Sequence, residues 1–154
     1  MKKKIVSYFE DVVPGMSVEF GRYRMSEEEI MTFARAYDPQ PFHTGRESAR
    51  NSVVGELIAS GWHTCAVAMR MIVDHFNPAE SILASPGVDE IRWLVPVRPG
   101  DELSVRLTIL DARESQSKPD RGIFRIRTEV FNQNREIVLT FTSVNIMRKR
   151  PVPA

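Results

Sequence analysis

Asp38-Pro39-Gln40-Pro41-Phe42-His43 sets a carboxylate and an imidazole five positions apart in a segment that carries two prolines. Each proline fixes its own φ and restricts the residue before it, here Asp38 and Gln40. The segment therefore has little freedom to lose when it holds two polar groups in register. Those groups suit water activation: a carboxylate accepts a proton from water, and an imidazole can position that water or pass a proton to carbon. A plainer role fits the same residues, with Asp38 ending a helix and His43 lying on the surface.

Ile58-Ala59-Ser60-Gly61-Trp62-His63 leads into an apolar helical stretch. The first backbone N–H groups of a helix lack internal partners and carry the positive end of its dipole. Gly61 has no side chain, so a ligand oxygen can approach its N–H closely, and such a donor can stabilise a developing enolate oxygen. As a purely structural residue, Gly61 is a tight entry into a packed helix. His63 can contact a ligand near that helix start, or simply pack or face solvent. His75 suits the negative end of the same helix dipole and reads as structural. Cys65 sits among apolar residues and reads as packed rather than nucleophilic. Ser60 is not in a G-x-S-x-G elbow. The three histidines lack metal-ligand spacing, so no metal and no cofactor are expected. Arg92 and Arg98 either reach a phosphate-bearing ligand or form a solvated strand face.

Several elements must position these groups. Val18–Tyr23 reads as a short strand after the turn pair Pro14-Gly15. Ser26 caps a helix with Glu29 three residues on, the spacing of a capping box, and Ile30, Phe33, Ala34 and Tyr37 share one face until Asp38-Pro39 stops it. Trp62–Phe76 is apolar on nearly every face, which predicts a buried helix. Val88–Val95, Leu103–Leu110, Ile123–Phe131 and Ile137–Ile146 read as strands. The last is apolar on both faces near its start, as a strand inside a sheet would be. Arg98-Pro99-Gly100-Asp101 is a turn, and the polar stretch from Ser115 to Arg121 with Pro119 is a loop. Short connections predict antiparallel neighbours. A helical block before an antiparallel block is an α+β pattern, with a curved sheet wrapped around one long central helix.

The 154 residues suit one domain over 1–154, with 42% hydrophobic and 27% charged side chains. Lys and Arg number 21 against 20 Asp and Glu, a formal charge of +1. That balance provides no field for a nucleic-acid backbone. Lys2, Lys3 and Lys4 and the group Arg148, Lys149 and Arg150 read as solvated tails. A single cysteine excludes an internal disulfide and fits a cytoplasmic setting. Glu10 and Asp11 interrupt any apolar stretch behind the first lysines, so neither a leader nor a membrane span is expected.

Asp38-x-Gln40-Pro41-x-His43 resembles the Asp-x-Asn-Pro-x-His motif of the MaoC-like, (R)-specific enoyl-CoA hydratase family. Phe33-Ala34-Arg35, Ile58 to Thr64 and Val95 to Leu103 are similar to that family too, in the same order along the chain. The likeness covers roughly Phe9 to Met147. It implies a hot-dog fold, usually a homodimer, with acyl-CoA or an acyl-carrier-protein thioester as ligand. It also implies that Asp38 and His43 hold water between them and that the Gly61 N–H holds the thioester oxygen. Gln40, Pro41, Phe42, Ser60, Trp62 and His63 would then line the substrate site, and the reaction would add or remove water across the 2,3 double bond. Two positions depart from the family pattern: Tyr37 stands for a glycine and Gln40 for the asparagine. Tyr37 would fill a core gap or narrow the pocket. Two other readings stay open: a thioesterase using Glu56 or Asp74, and a non-catalytic acyl-thioester-binding protein.

Overall fold

The computed structural model describes residues 4–153, so the tail lysines Lys2 and Lys3 lie outside them. After a 3-10 turn at Phe9–Asp11, strand β1 (Ser17–Arg24) leads into helix α1 (Glu27–Tyr37). Ser26 caps α1 by accepting the Glu29 N–H at 3.2 Å, and three glutamates fill the first turn, where the helix dipole favours them. The capping box itself is incomplete. Instead of reaching back to the cap, the Glu29 carboxylate accepts a hydrogen bond from Tyr23 Oη. Two short helices follow, α2 (Pro41–Thr44) and α3 (Arg46–Arg50), and then the long helix α4 (Gly61–His75).

Four strands complete the chain: β2 (Ile82–Trp93), β3 (Glu102–Glu114), β4 (Arg121–Phe131) and β5 (Ile137–Arg148). With β1 they form one antiparallel sheet in the order β1-β3-β4-β5-β2. This is the α+β, hot-dog arrangement: a curved antiparallel sheet holding α4 in its concavity. The alternation in β3 and β4 decides which face is concave. Leu103, Val105, Leu107 and Ile109 are buried, as are Phe124, Ile126 and Val130, and they meet Val67, Ala68, Met71 and Ile72 of α4. Close approach of α4 to β1 depends on Gly21, which sits at φ 82 in an irregular stretch of β1; a Cβ there would lie 2.5 Å from Met71 Sδ.

Three expectations need correcting. First, α4 is not buried all round: Trp62, Met69 and Val73 are about half exposed, because the sheet covers the other side of the helix. Second, the short connection between β2 and β3 does not join neighbours. β2 pairs with β5 at one edge of the sheet, while β3 lies between β1 and β4. β2 also begins earlier and ends earlier than the expected Val88–Val95. Third, the C-terminal basic residues are not free: Lys149 Nζ meets Glu114 at 2.7 Å and Arg150 meets Asp11 at 2.9 Å.

Candidate active site

α1 ends where Pro39 bars Asp38 from helical geometry, and Asp38 takes φ −150° and ψ 68° while its N–H still bonds the Ala34 carbonyl. The expected stiff loop is then partly helical. Pro41 occupies the first turn of α2, where its missing N–H costs nothing, and the turn carries His43 back toward Asp38. His43 is 5% exposed. Its Nδ1 lies 2.7 Å from the Ile58 carbonyl, which can only accept, so Nδ1 carries a proton and donates. Nε2 therefore faces Asp38 Oδ2 at 3.4 Å, with a lone pair when the ring is neutral and a proton when it is charged.

Asp38 is held from two other sides. Ser60 Oγ donates to Oδ2 at 2.7 Å and Gln40 Nε2 donates to Oδ1 at 2.9 Å. Burial pushes the Asp38 carboxyl up, but the bonds from Ser60 and Gln40 and the nearby His43 together outweigh it and hold the group below its ordinary value of 3.8. Gln40 thus keeps an amide on the carboxylate despite its longer arm. The Ser60 hydroxyl does two jobs, since its oxygen also accepts the Trp62 N–H at 3.3 Å as the cap of α4.

Asp38, Gln40, His43, Gly61 and Trp62 line one cavity of about 380 Å³, a size that accommodates a small organic group. Its remaining wall is largely apolar: Ile58, Ala59, Trp93, Leu94, Val95, Pro96, Val97 and Val138, with Thr64. Of the residues read from the motif, Pro41 shapes α2, and Phe42 packs on the core with its ring 4.5 Å from that of His43, edge to face. Trp93 was missed. It sits in a strand with charged residues between the apolar ones, and its face follows from an irregular pairing of β2 with β5 that no short window shows.

His63 belongs elsewhere. It is 3% exposed on the side of α4 that faces α1, stacked on Phe33 at 4.7 Å, with Nε2 3.7 Å from Glu29. Burial pushes its pKa down, against the opposing pull of Glu29. It borders a different cavity, of about 680 Å³, together with Tyr23 and Tyr37. Tyr37 is 77% exposed, so it neither fills a core gap nor narrows the cavity around Asp38.

The carboxylates considered for hydrolysis are otherwise engaged. Glu56 pairs with Arg98 at 2.8 Å and Asp74 with Arg70 at 2.8 Å. Arg98 is thereby tied to Glu56, and Arg92 donates to its neighbour's carbonyl, that of Ile91. Burial raises the pKa of Cys65 and keeps the thiol protonated, and the Trp93 indole N–H offsets this only in part. His75 stacks on Phe20 at 5.1 Å and bonds the Met71 carbonyl, a structural placement. Among the described residues no cluster of His, Cys, Asp and Glu is suited to a metal ion, and no helix is long and apolar enough to cross a membrane.

The MaoC like domain matches residues 10–129, and the chain belongs to that family, whose relatives include hydratases. The crystal structure of a MaoC-like dehydratase from Rhodospirillum rubrum superimposes with a TM-score of 0.88 at 40% identity, covering 96% of this chain and 100% of that one. An uncharacterized protein of Bacillus subtilis, YdeM, is 27% identical over 82% of this chain and 88% of its own length. The mesaconyl-CoA hydratase of Cereibacter sphaeroides is 38% identical over 47% of this chain, a stretch that makes up 22% of that larger protein.

Proposed function

We propose that this protein is a hydro-lyase that adds water to, or removes it from, the 2,3 double bond of an acyl thioester carried by coenzyme A or an acyl-carrier protein. One observation carries the reading: His43 Nε2 and Asp38 Oδ2 stand 3.4 Å apart at the wall of an apolar cavity that also contains Gly61. Family membership and the hydratase among its relatives support it.

The two groups divide the work by their surroundings. Asp38 already accepts two hydrogen bonds and is held ionised, so it is a poor proton acceptor and a good partner for a cation. His43 donates through Nδ1, which frees the Nε2 lone pair to take a proton. In hydration, a water oxygen bonds to C3 while His43 Nε2 removes its proton. The 2,3 π pair shifts to C2 and the thioester oxygen, where the Gly61 N–H at the start of α4 stabilises the enolate. The Asp38 carboxylate stabilises the imidazolium, which then returns the proton to C2. Dehydration runs the same steps in reverse. Neither carboxylate of the thioesterase reading reaches this cavity.

The test is loss of enone-thioester absorbance with crotonyl-CoA and a longer 2-enoyl-CoA. Asp38→Asn is expected to cut turnover by about 10²- to 10⁴-fold, with its circular dichroism and melting unchanged. Wild-type-like rates in that variant would end the hydro-lyase reading.

A further inference from the structure

We infer that Trp93 decides which acyl groups can reach Asp38 and His43, because a one-residue bulge at Glu90 turns its indole onto the helix face beside Gly61. The inference rests on the hydro-lyase reading and deepens it by naming the substrate class.

The register of β2 against β5 carries the first step. Asp89 pairs with Thr142, yet Arg92 pairs with Thr140 and Trp93 with Leu139. β2 thus advances one residue more than its partner across this interval. Glu90 within it has φ 54°, a left-handed conformation that is uncommon outside glycine. An extra residue of this kind is a β-bulge, and it changes which side chains of the strand face the core.

Directly paired residues share a face. Trp93 opposes Leu139, Leu139 opposes Val130, Val130 opposes Val105, and Val105 opposes Phe20. Leu139, Val130 and Val105 are fully buried on the concave side, so this row runs under α4. Without the extra residue, Arg92 would fall opposite Leu139, and a guanidinium would occupy the apolar wall of the cavity. Strain at a non-glycine residue is retained when surrounding structure holds it, and such residues gather near functional sites.

The placement of the ring is the second step. A Cβ on Gly61 would lie 2.5 Å from both Cε2 and Nε1 of Trp93, so the indole lies flush against the backbone of Gly61. Trp62 stands edge-on to it, with centroids 5.2 Å apart and planes at 76°. A thioester oxygen held at the Gly61 N–H brings C1 and C2 of the acyl group next to this wall. Trp93 therefore admits an apolar acyl group unbranched at C2 and excludes one with a substituent there.

The experiment compares wild type, Trp93→Ala and Trp93→Phe with two pairs of thioesters. Turnover is read with crotonyl-CoA and its 2-methyl derivative. Binding is read by calorimetry with the saturated butyryl-CoA and 2-methylbutyryl-CoA, which cannot be hydrated. Trp93→Ala is expected to shift the branched-to-unbranched ratio by about 10-fold or more in favour of the branched ligand, as methyl-sized discrimination in apolar pockets allows. Trp93→Phe is expected to fall between, and it keeps the inference testable if the alanine variant does not fold. An unchanged ratio in the folded variants, or an equal loss for both ligands, would overturn the inference. Ratio-shifted binding without any turnover would remove the hydro-lyase reading and leave the role of Trp93 standing. No turnover of either enoyl thioester together with no binding of either saturated thioester by the wild type would remove both.

Discussion

Ser60 Oγ donates to Asp38 Oδ2 at 2.7 Å across 22 residues of chain, joining the cap of α4 to the residue that closes α1. The bond holds the carboxylate at the entrance of the helix whose first residue, Gly61, lines the cavity. It also ties the acidity of Asp38 to the start of α4.

Ser60→Ala tests that tie. Asp38 lies below its ordinary value of 3.8, so it is ionised at neutral pH and protonates only in strong acid. Removing one of its two donors raises its pKa, and the acid limb of the activity profile is expected to move to higher pH. The sign for stability follows. A carboxyl depressed in the folded state stabilises it above the unfolded value, and this contribution is lost as the pH falls through the folded value. The variant is expected to lose less stability than wild type below pH 3.8. Matched pH–rate profiles and melting at low pH measure both, and superimposable profiles would exclude the coupling.

Gly61→Ala is expected to destabilise the protein by about 1–3 kcal/mol, since the new methyl overlaps the Trp93 ring and must displace it. Combining it with Trp93→Ala removes the overlap, so the two changes together are expected to cost less than their sum. Denaturant titration of the four proteins reads the coupling. Strict additivity would mean that the ring and the helix start do not constrain each other.

His63 is buried with its pKa pushed down by desolvation, so it stays neutral while an unfolded histidine would take up a proton. Stability from this group is complete above its ordinary value of 6.5 and falls as the pH drops from there toward the folded value. His63→Leu is expected to melt with a smaller pH dependence across this window than wild type. Thermal melts at several pH values check it, and equal slopes would place His63 outside the acid response.

β2 is an edge strand, and Met69 and Val73 on α4 and Val88 on β2 are about half exposed. Unpaired edges beside apolar side chains favour a partner that covers them. Sizing at micromolar concentration is expected to give a homodimer, with Val88→Lys shifted toward the monomer. A wild-type monomer would refute the expectation.

Local chemistry in the sequence was enough to place the elements that carry the candidate site. Ser26 caps α1, Pro39 ends it, and Pro41 opens the turn that returns His43 to Asp38, because caps and prolines act on their own few residues. Alternation in β3 and β4 likewise named their core faces, since the period of a strand is intrinsic.

What depended on distant partners was settled only in the tertiary structure. Ser60 meets Asp38, Glu29 turns to Tyr23 instead of its own cap, and His63 is buried against α1, each through contacts that no short window contains. β2 bypasses β3 to pair with β5, and one extra residue at Glu90 brings Trp93 rather than Arg92 to Gly61. Sequence by itself determined which groups could do the chemistry and in which elements they lie. Register and packing between elements far apart in the chain decided which of them meet, because a side chain's face depends on the pairing of its strand as well as on its own neighbours.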